Sequence, residues 1–228
     1  MRIGGLTKTT LLDYPGKVAC TVFLPGCNLR CPFCHNAALV LPDRTVPGSL
    51  EPEELLAFLE RRRGKLDGVC ITGGEPTLYE DLPELAERIR DMGFCLKLDT
   101  NGSRPQMLRT MLDYADYVAM DIKNSPDRYR RTCGGMDILP QVRESAAMLM
   151  EGKVPFEFRT TVCSPFHDEQ SMEDVGKWLA GPEPYFLQGF VDSGDLVGSG
   201  AAALSPEKME DLRRVLLPWM PNTSIRGI

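Results

Sequence analysis

The chain has 228 residues, 43% of them hydrophobic and 25% charged, which is the balance of a globular protein with room for a sizeable core. A net charge of −6 excludes a nucleic-acid surface, which needs a basic face, and no apolar run approaches the ~20 residues that span a bilayer. The first dozen residues lack the apolar stretch of a signal peptide, so the eight cysteines point to a reducing cytoplasm and to metal or redox use, not a disulfide framework.

Strand-like and helix-like patterns alternate along the chain. The first strand is predicted over residues 18–24 and a Pro/Gly-bearing connection over 41–48. A helix over 51–63 follows, with Leu55, Leu56 and Leu59 as its apolar stripe and Arg61-Arg62-Arg63 as a solvated end suited to the helix dipole. The second strand, 68–72, stops at Gly73-Gly74-Glu75-Pro76. A helix over 82–92, a strand over 94–100, a helix after Pro105 and a strand over 117–123 come next. Then follow a helix over 139–151, a strand over 156–162, a helix over 171–179 and a strand over 185–190. Residues 192–200 form a Gly/Ser/Asp-rich loop, and Ser205-Pro206-Glu207 starts a last helix. Six strand–helix alternations in one domain, 1–228, predict an α/β fold: a partial (β/α)6 TIM-type barrel with parallel strands, open on one side. Ligands of such sheets lie at the carboxyl ends of the strands. The unusual residues gather there: the cysteine loop, residues 73–76, 99–102, 121–123 and 159–161.

Cys27, Cys31 and Cys34 sit at gaps of three and two residues, on a loop opened by Pro25 and Gly26. Three thiolates leave one position of a metal cluster open for a ligand. A structural zinc held with His35 is the competing reading, although four ligands within nine residues are hard to arrange as a tetrahedron. Gly73 and Gly74 lack a Cβ and let backbone approach a ligand. Asp99 and Asp121 converge at neighbouring strand ends, where two carboxylates need a cation or donor, and Lys123 shares the side of Asp121. Arg159, in an otherwise apolar strand, needs an anionic partner if buried, either a cofactor or one of the two aspartates; a solvent-facing arginine is the alternative. Cys20, Cys70 and Cys95 read as small buried residues, while Cys133 and Cys163 are too scattered for a second cluster. His167 carries no readable signal.

The C-x3-C-x2-C loop with Phe33 before its last cysteine, followed by Gly73-Gly74-Glu75-Pro76, resembles the radical S-adenosylmethionine enzymes. Cys34-His35-Asn36, Asp99-Thr100-Asn101-Gly102 and Asp121-Ile122-Lys123 resemble, within them, the glycyl-radical-enzyme activating enzymes. The runs Gly5-Leu6-Thr7 and Leu12-Asp13-Tyr14-Pro15-Gly16-Lys17 are similar to the activating proteins of anaerobic ribonucleoside-triphosphate reductase. The resemblance implies one 4Fe–4S cluster on Cys27, Cys31 and Cys34, whose open iron binds S-adenosylmethionine and cleaves it reductively. It implies that Gly73, Gly74 and Glu75 meet the cofactor's amino group and Lys123 its carboxylate. Phe33 and the backbone of His35 would lie against the adenine, and Asn101 against the ribose or amino-acid end. Asp99 and Asp121 would hold a monovalent cation, and Gln188 stands where a relative carries a histidine. The implied partners are a glycyl radical enzyme, an anaerobic ribonucleotide reductase first among them, and flavodoxin or ferredoxin as electron donor. A radical enzyme acting on a small molecule, of the 7-carboxy-7-deazaguanine synthase kind, is the rival expectation.

Overall fold

The computed structural model describes residues 1–41 and 48–227; the predicted connection over 41–48 lies, apart from its two end residues, outside them. In chain order the elements are β1 (Gly5–Thr10), β2 (Ala19–Leu24), α1 (Ala37–Val40), α2 (Pro52–Glu60), β3 (Gly68–Gly73) and a 3-10 turn at Pro76–Leu78. They continue with α3 (Leu82–Asp91), β4 (Cys95–Thr100), α4 (Pro105–Met111), β5 (Tyr117–Asp121), α5 (Tyr129–Thr132) and α6 (Leu139–Met150). The last are β6 (Phe156–Val162), α7 (Glu169–Trp178), β7 (Tyr185–Gly189), α8 (Pro206–Leu216) and β8 (Thr223–Arg226). All eight strands join one sheet in sequence order; β1 is antiparallel to β2 and every later pair is parallel.

The six predicted strands are β2 to β7, and the parallel α/β architecture is as expected. The two added strands have weak sequence signals. In β1, Thr7, Lys8 and Thr9 are all exposed, the polar pattern of a protected sheet edge, and β8 has four residues of which only Thr223 is buried. The helix predicted over 51–63, α2, also stops sooner than its pattern suggests, at Glu60. Arg62 is not a solvated helix end: it turns back to β1, donating to the Thr9 hydroxyl (2.7 Å) and the Lys8 carbonyl (3.3 Å).

Helices begin where the sequence caps them. Ser205 accepts the Lys208 amide ahead of Pro206, and Asp168 and Ser171 form a reciprocal capping box on α7. Alternation along β4 divides core from site. Leu96 and Leu98 are fully buried in the apolar core, worth about 1.5–3 kcal/mol each, while Lys97 and Asp99 turn to the opposite, inner face. Register extends that inner face across the sheet. Asp99 pairs with Ala119, two residues before Asp121, and Asp121 pairs directly with Arg159.

Candidate active site

The cysteine loop leaves β2 and is fastened on every side. The Gly26 amide donates to the Leu39 carbonyl (2.6 Å), the Tyr79 hydroxyl to the Pro25 carbonyl (2.6 Å), and the Arg30 guanidinium to the carbonyls of Cys27 and Leu29 (2.6 and 2.8 Å). The loop at 192–200, unreadable in sequence, closes over it. Val197 and Gly198 donate amides to the carbonyls of Cys34 and Pro32 (3.0 and 2.9 Å), and the Ser193 hydroxyl donates to that of His35 (3.2 Å).

Gly73 and Gly74 are glycines for a reason beyond the one their sequence suggests. Gly73 has φ +130°, and a Cβ on Gly74 would stand 2.0 Å from the Gly26 carbonyl oxygen. The missing side chains let the end of β3 dock on the cysteine loop, where the Gly74 and Glu75 amides donate to the carbonyls of Leu24 and Gly26 (2.8 Å each). Both glycines also line the cavity described below. Gly74→Ala is expected to push Cys27 out of place. The cost is about 1–3 kcal/mol of overpacking, with a several-fold drop in iron retained after anaerobic reconstitution. Iron analysis of the folded variant checks this, and full iron content would refute the docking.

Cys27, Cys31, Cys34, Phe33, His35, Gly73, Gly74, Asn101, Asp121 and Lys123 line one cavity at the carboxyl ends of the strands, joined by Asn36 and Thr161 and by Leu29 and Val40, which the sequence did not single out. Glu75, Asp99 and Arg159 stand behind it. Glu75 has no exposed surface. Its carboxylate accepts from the Thr77 amide and hydroxyl (3.0 and 2.5 Å), the Thr100 hydroxyl (2.8 Å) and the Asn101 amide (2.6 Å). Burial raises its pKa despite those donors. With its oxygens engaged by the protein, Glu75 ties the ends of β3 and β4 together.

The two aspartates are joined by Arg159. Its guanidinium donates to Asp121 (2.5 Å) and to Asp99 (3.0 Å); Lys97 pairs with Asp99 and Lys123 with Asp121 (2.8 Å). Burial alone would raise both carboxyl pKa values, but Arg159 and the lysines outweigh it and hold both below the usual carboxylate range. Burial likewise opposes the charge on Lys123, and Asp121 overcomes it, raising its pKa. Protein cations thus flank both carboxylates, one of the arrangements the sequence reading offered for Arg159. Gln188 does not reach the cysteine cavity. It lines a second cavity of about 460 Å³ with Leu11, Leu12, Lys97, Glu157 and Arg226, among others.

Two residues without a sequence signal support the site. His167 accepts the Cys163 amide on Nδ1 (3.1 Å) and donates from Nε2 to the Lys123 carbonyl (2.9 Å), which sets one neutral tautomer; burial lowers its pKa. Its ring meets Phe33 edge-on at 5.8 Å. Cys133, fully buried, hydrogen-bonds Cys31 through its thiol and thereby lowers the pKa of Cys31 against the effect of burial. Burial pushes Cys27 up to about 12 and also raises Cys34. Cys20 and Cys70 are buried as expected, and Cys95 is half-buried. Among the described residues no three His, Cys, Asp or Glu side chains converge on the spacing of a single-ion site, and no helix is long and apolar enough to cross a membrane.

Comparison with known proteins agrees with this geometry. A protein of Methanocaldococcus jannaschii, provisionally named a glycyl-radical enzyme activating enzyme, is 29% identical over 99% of this chain and 96% of its own. The 7-carboxy-7-deazaguanine synthase of Thermococcus kodakarensis is 28% identical over 72% of this chain and 70% of its own. A radical SAM methyltransferase structure from Sphaerobacter thermophilus superposes with a TM-score of 0.74 at 16% identity, over 96% of this chain and 69% of that one, and so shares the fold. The model of the radical SAM superfamily matches residues 21–179, and the chain, an enzyme with three cysteines at the mouth of a parallel α/β sheet, belongs to that superfamily.

Proposed function

We propose that this radical SAM enzyme is a glycyl-radical-enzyme activase that removes a Cα hydrogen from a glycine of a partner, an anaerobic ribonucleoside-triphosphate reductase. The observation that carries the reading is one cavity that gathers three cysteines, Asn101, Asp121 and Lys123 in a chain alike over nearly its whole length to a relative of that name. The donor set suits an iron–sulfur cluster. The three thiols are free, and the Cys27 sulfur already accepts from the Leu29 amide (3.4 Å) and from Asn101 Nδ2 (3.8 Å). When bound on Cys27, Cys31 and Cys34, a 4Fe–4S cluster supplies the electron that cleaves the sulfonium of S-adenosylmethionine to methionine and a 5′-deoxyadenosyl radical.

The chain's own residues do the rest. Since burial keeps Cys27 and Cys34 protonated, loading the metal releases their protons. Lys123, held charged by Asp121, would offer an ammonium to the cofactor's carboxylate, and the carbonyls of Gly73 and Gly74 would accept from its amine. Phe33, steadied by His167 and by Phe166 at 5.5 Å, offers an apolar face to the adenine beside the His35 backbone. A flavodoxin or ferredoxin in the cytoplasm is the electron donor in this reading.

Mixing the reduced protein, S-adenosylmethionine and the candidate reductase without oxygen should give a glycyl doublet in the EPR spectrum. Formation of 5′-deoxyadenosine with no protein radical would instead favour a small-molecule substrate. The charged second cavity, walled by residues of β4, β6, β7 and β8, and the likeness to the deazaguanine synthase support that second reading. A preparation that stays colourless and binds zinc would remove both.

A further inference from the structure

The Asn101 side chain is held in one orientation. Its Oδ1 accepts the Ser103 amide (2.9 Å), which leaves Nδ2 to donate; Nδ2 reaches Asn28 Oδ1 (3.1 Å) and the Cys27 sulfur (3.8 Å). Asn28 is anchored in turn on the Ser103 hydroxyl (2.8 Å). The backbone behind is pinned by the buried Glu75 carboxylate, which takes the Asn101 amide at 2.6 Å. Asn101 itself is 4% exposed, so water does not compete for its amide. Cys27 therefore receives two N–H donors, one from the main chain at Leu29 and one from a side chain that substitution can remove.

We infer that Asn101 is a positioning residue that sets the reduction potential of the cluster through its N–H bond to the Cys27 sulfur, beyond any contact with the cofactor. The inference rests on the three-cysteine cluster proposed above. Reduction adds one negative charge to a cluster already bearing thiolate charge. A donor aimed at a ligand sulfur stabilises the reduced state more than the oxidised one and raises the potential. The elements that hold the donor lie on three different segments, so its aim is part of the fold and not a rotamer choice at the surface.

The test compares midpoint potentials of wild type, Asn101→Ala and Asn101→Asp, each reconstituted to the same iron and sulfide content and titrated anaerobically with EPR detection. Alanine removes the donor; aspartate keeps the acceptor for the Ser103 amide and brings a negative charge toward the sulfur. Both midpoints should move negative, aspartate further, with the alanine cluster about tenfold less reduced at a fixed potential, equivalent to about 59 mV for one electron. Equal midpoints at equal iron content would overturn the inference and leave the cluster reading intact. A wild type that takes up no iron would sink both. Should either variant fail to load, the wild type still decides: protein labelled with ¹⁵N only in the asparagine side chains must show an asparagine ¹⁵N coupling to the reduced cluster in pulsed EPR, and its absence overturns the inference.

Discussion

Alanine at any one of Cys27, Cys31 or Cys34 is expected to yield a folded, colourless protein that no longer splits S-adenosylmethionine. Each thiolate would hold one iron, and the fourth iron must stay open to the cofactor, so the loss of any one thiolate leaves a second iron without its ligand. The loss should exceed the ~10–100-fold typical of changes to groups that only support a metal ligand. The fold should persist because the loop lies at the mouth of the sheet: Cys27 and Cys34 are half-buried, and the loop is held by backbone bonds through Gly26, Pro25 and Arg30. Cys163→Ala is the control. Among the described residues its buried thiol hydrogen-bonds with His167 alone, so the variant should lose some stability and stay brown. Iron, absorbance and 5′-deoxyadenosine measured together decide the matter; any single-cysteine variant that retains cleavage would refute the ligand assignment.

Replacing Arg159 with leucine should be the most destabilising single change at the inner face, by about 3–5 kcal/mol, because it leaves the buried Asp99 and the half-buried Asp121 without the cation between them. For a chain of this length each kcal/mol lowers the melting temperature by about 2–4 °C. The pH response should weaken as well. In the wild type both carboxyl pKa values lie below the unfolded value of about 3.9, so their stabilisation is present above that pH and is lost as pH falls through the folded values. Without Arg159, Lys97 and Lys123 alone oppose burial, so both folded pKa values rise toward the unfolded one. Stability should then fall less steeply as pH is lowered from about 5 toward about 2. Adding Asp99→Asn and Asp121→Asn should recover part of the loss. A leucine variant that melts within about 1 kcal/mol of wild type and loses stability as steeply on acidification would show that Arg159 does not neutralise the pair.

What the sequence alone determined is what depends on neighbours along the chain. The apolar runs of β2 to β7, the proline and serine at the head of α8, and the cysteines, glycines and acids at strand ends all announce themselves locally, because strand burial and helix capping act over a few residues. That was enough for the fold class and the superfamily. Tertiary structure decided the roles that depend on partners far apart in sequence. Only strand register sets Arg159 opposite Asp121 and within reach of Asp99, so that one guanidinium joins both carboxylates. Only the approach of β3 to the cysteine loop shows that Gly74 makes room for Gly26 as well as lining the cavity, and that Glu75 spends its carboxylate on β4. His167, the loop at 192–200 and the edge strands β1 and β8 have no periodic pattern of their own. Their partners reach them only once the sheet has curled, which brings together groups that no local signal connects.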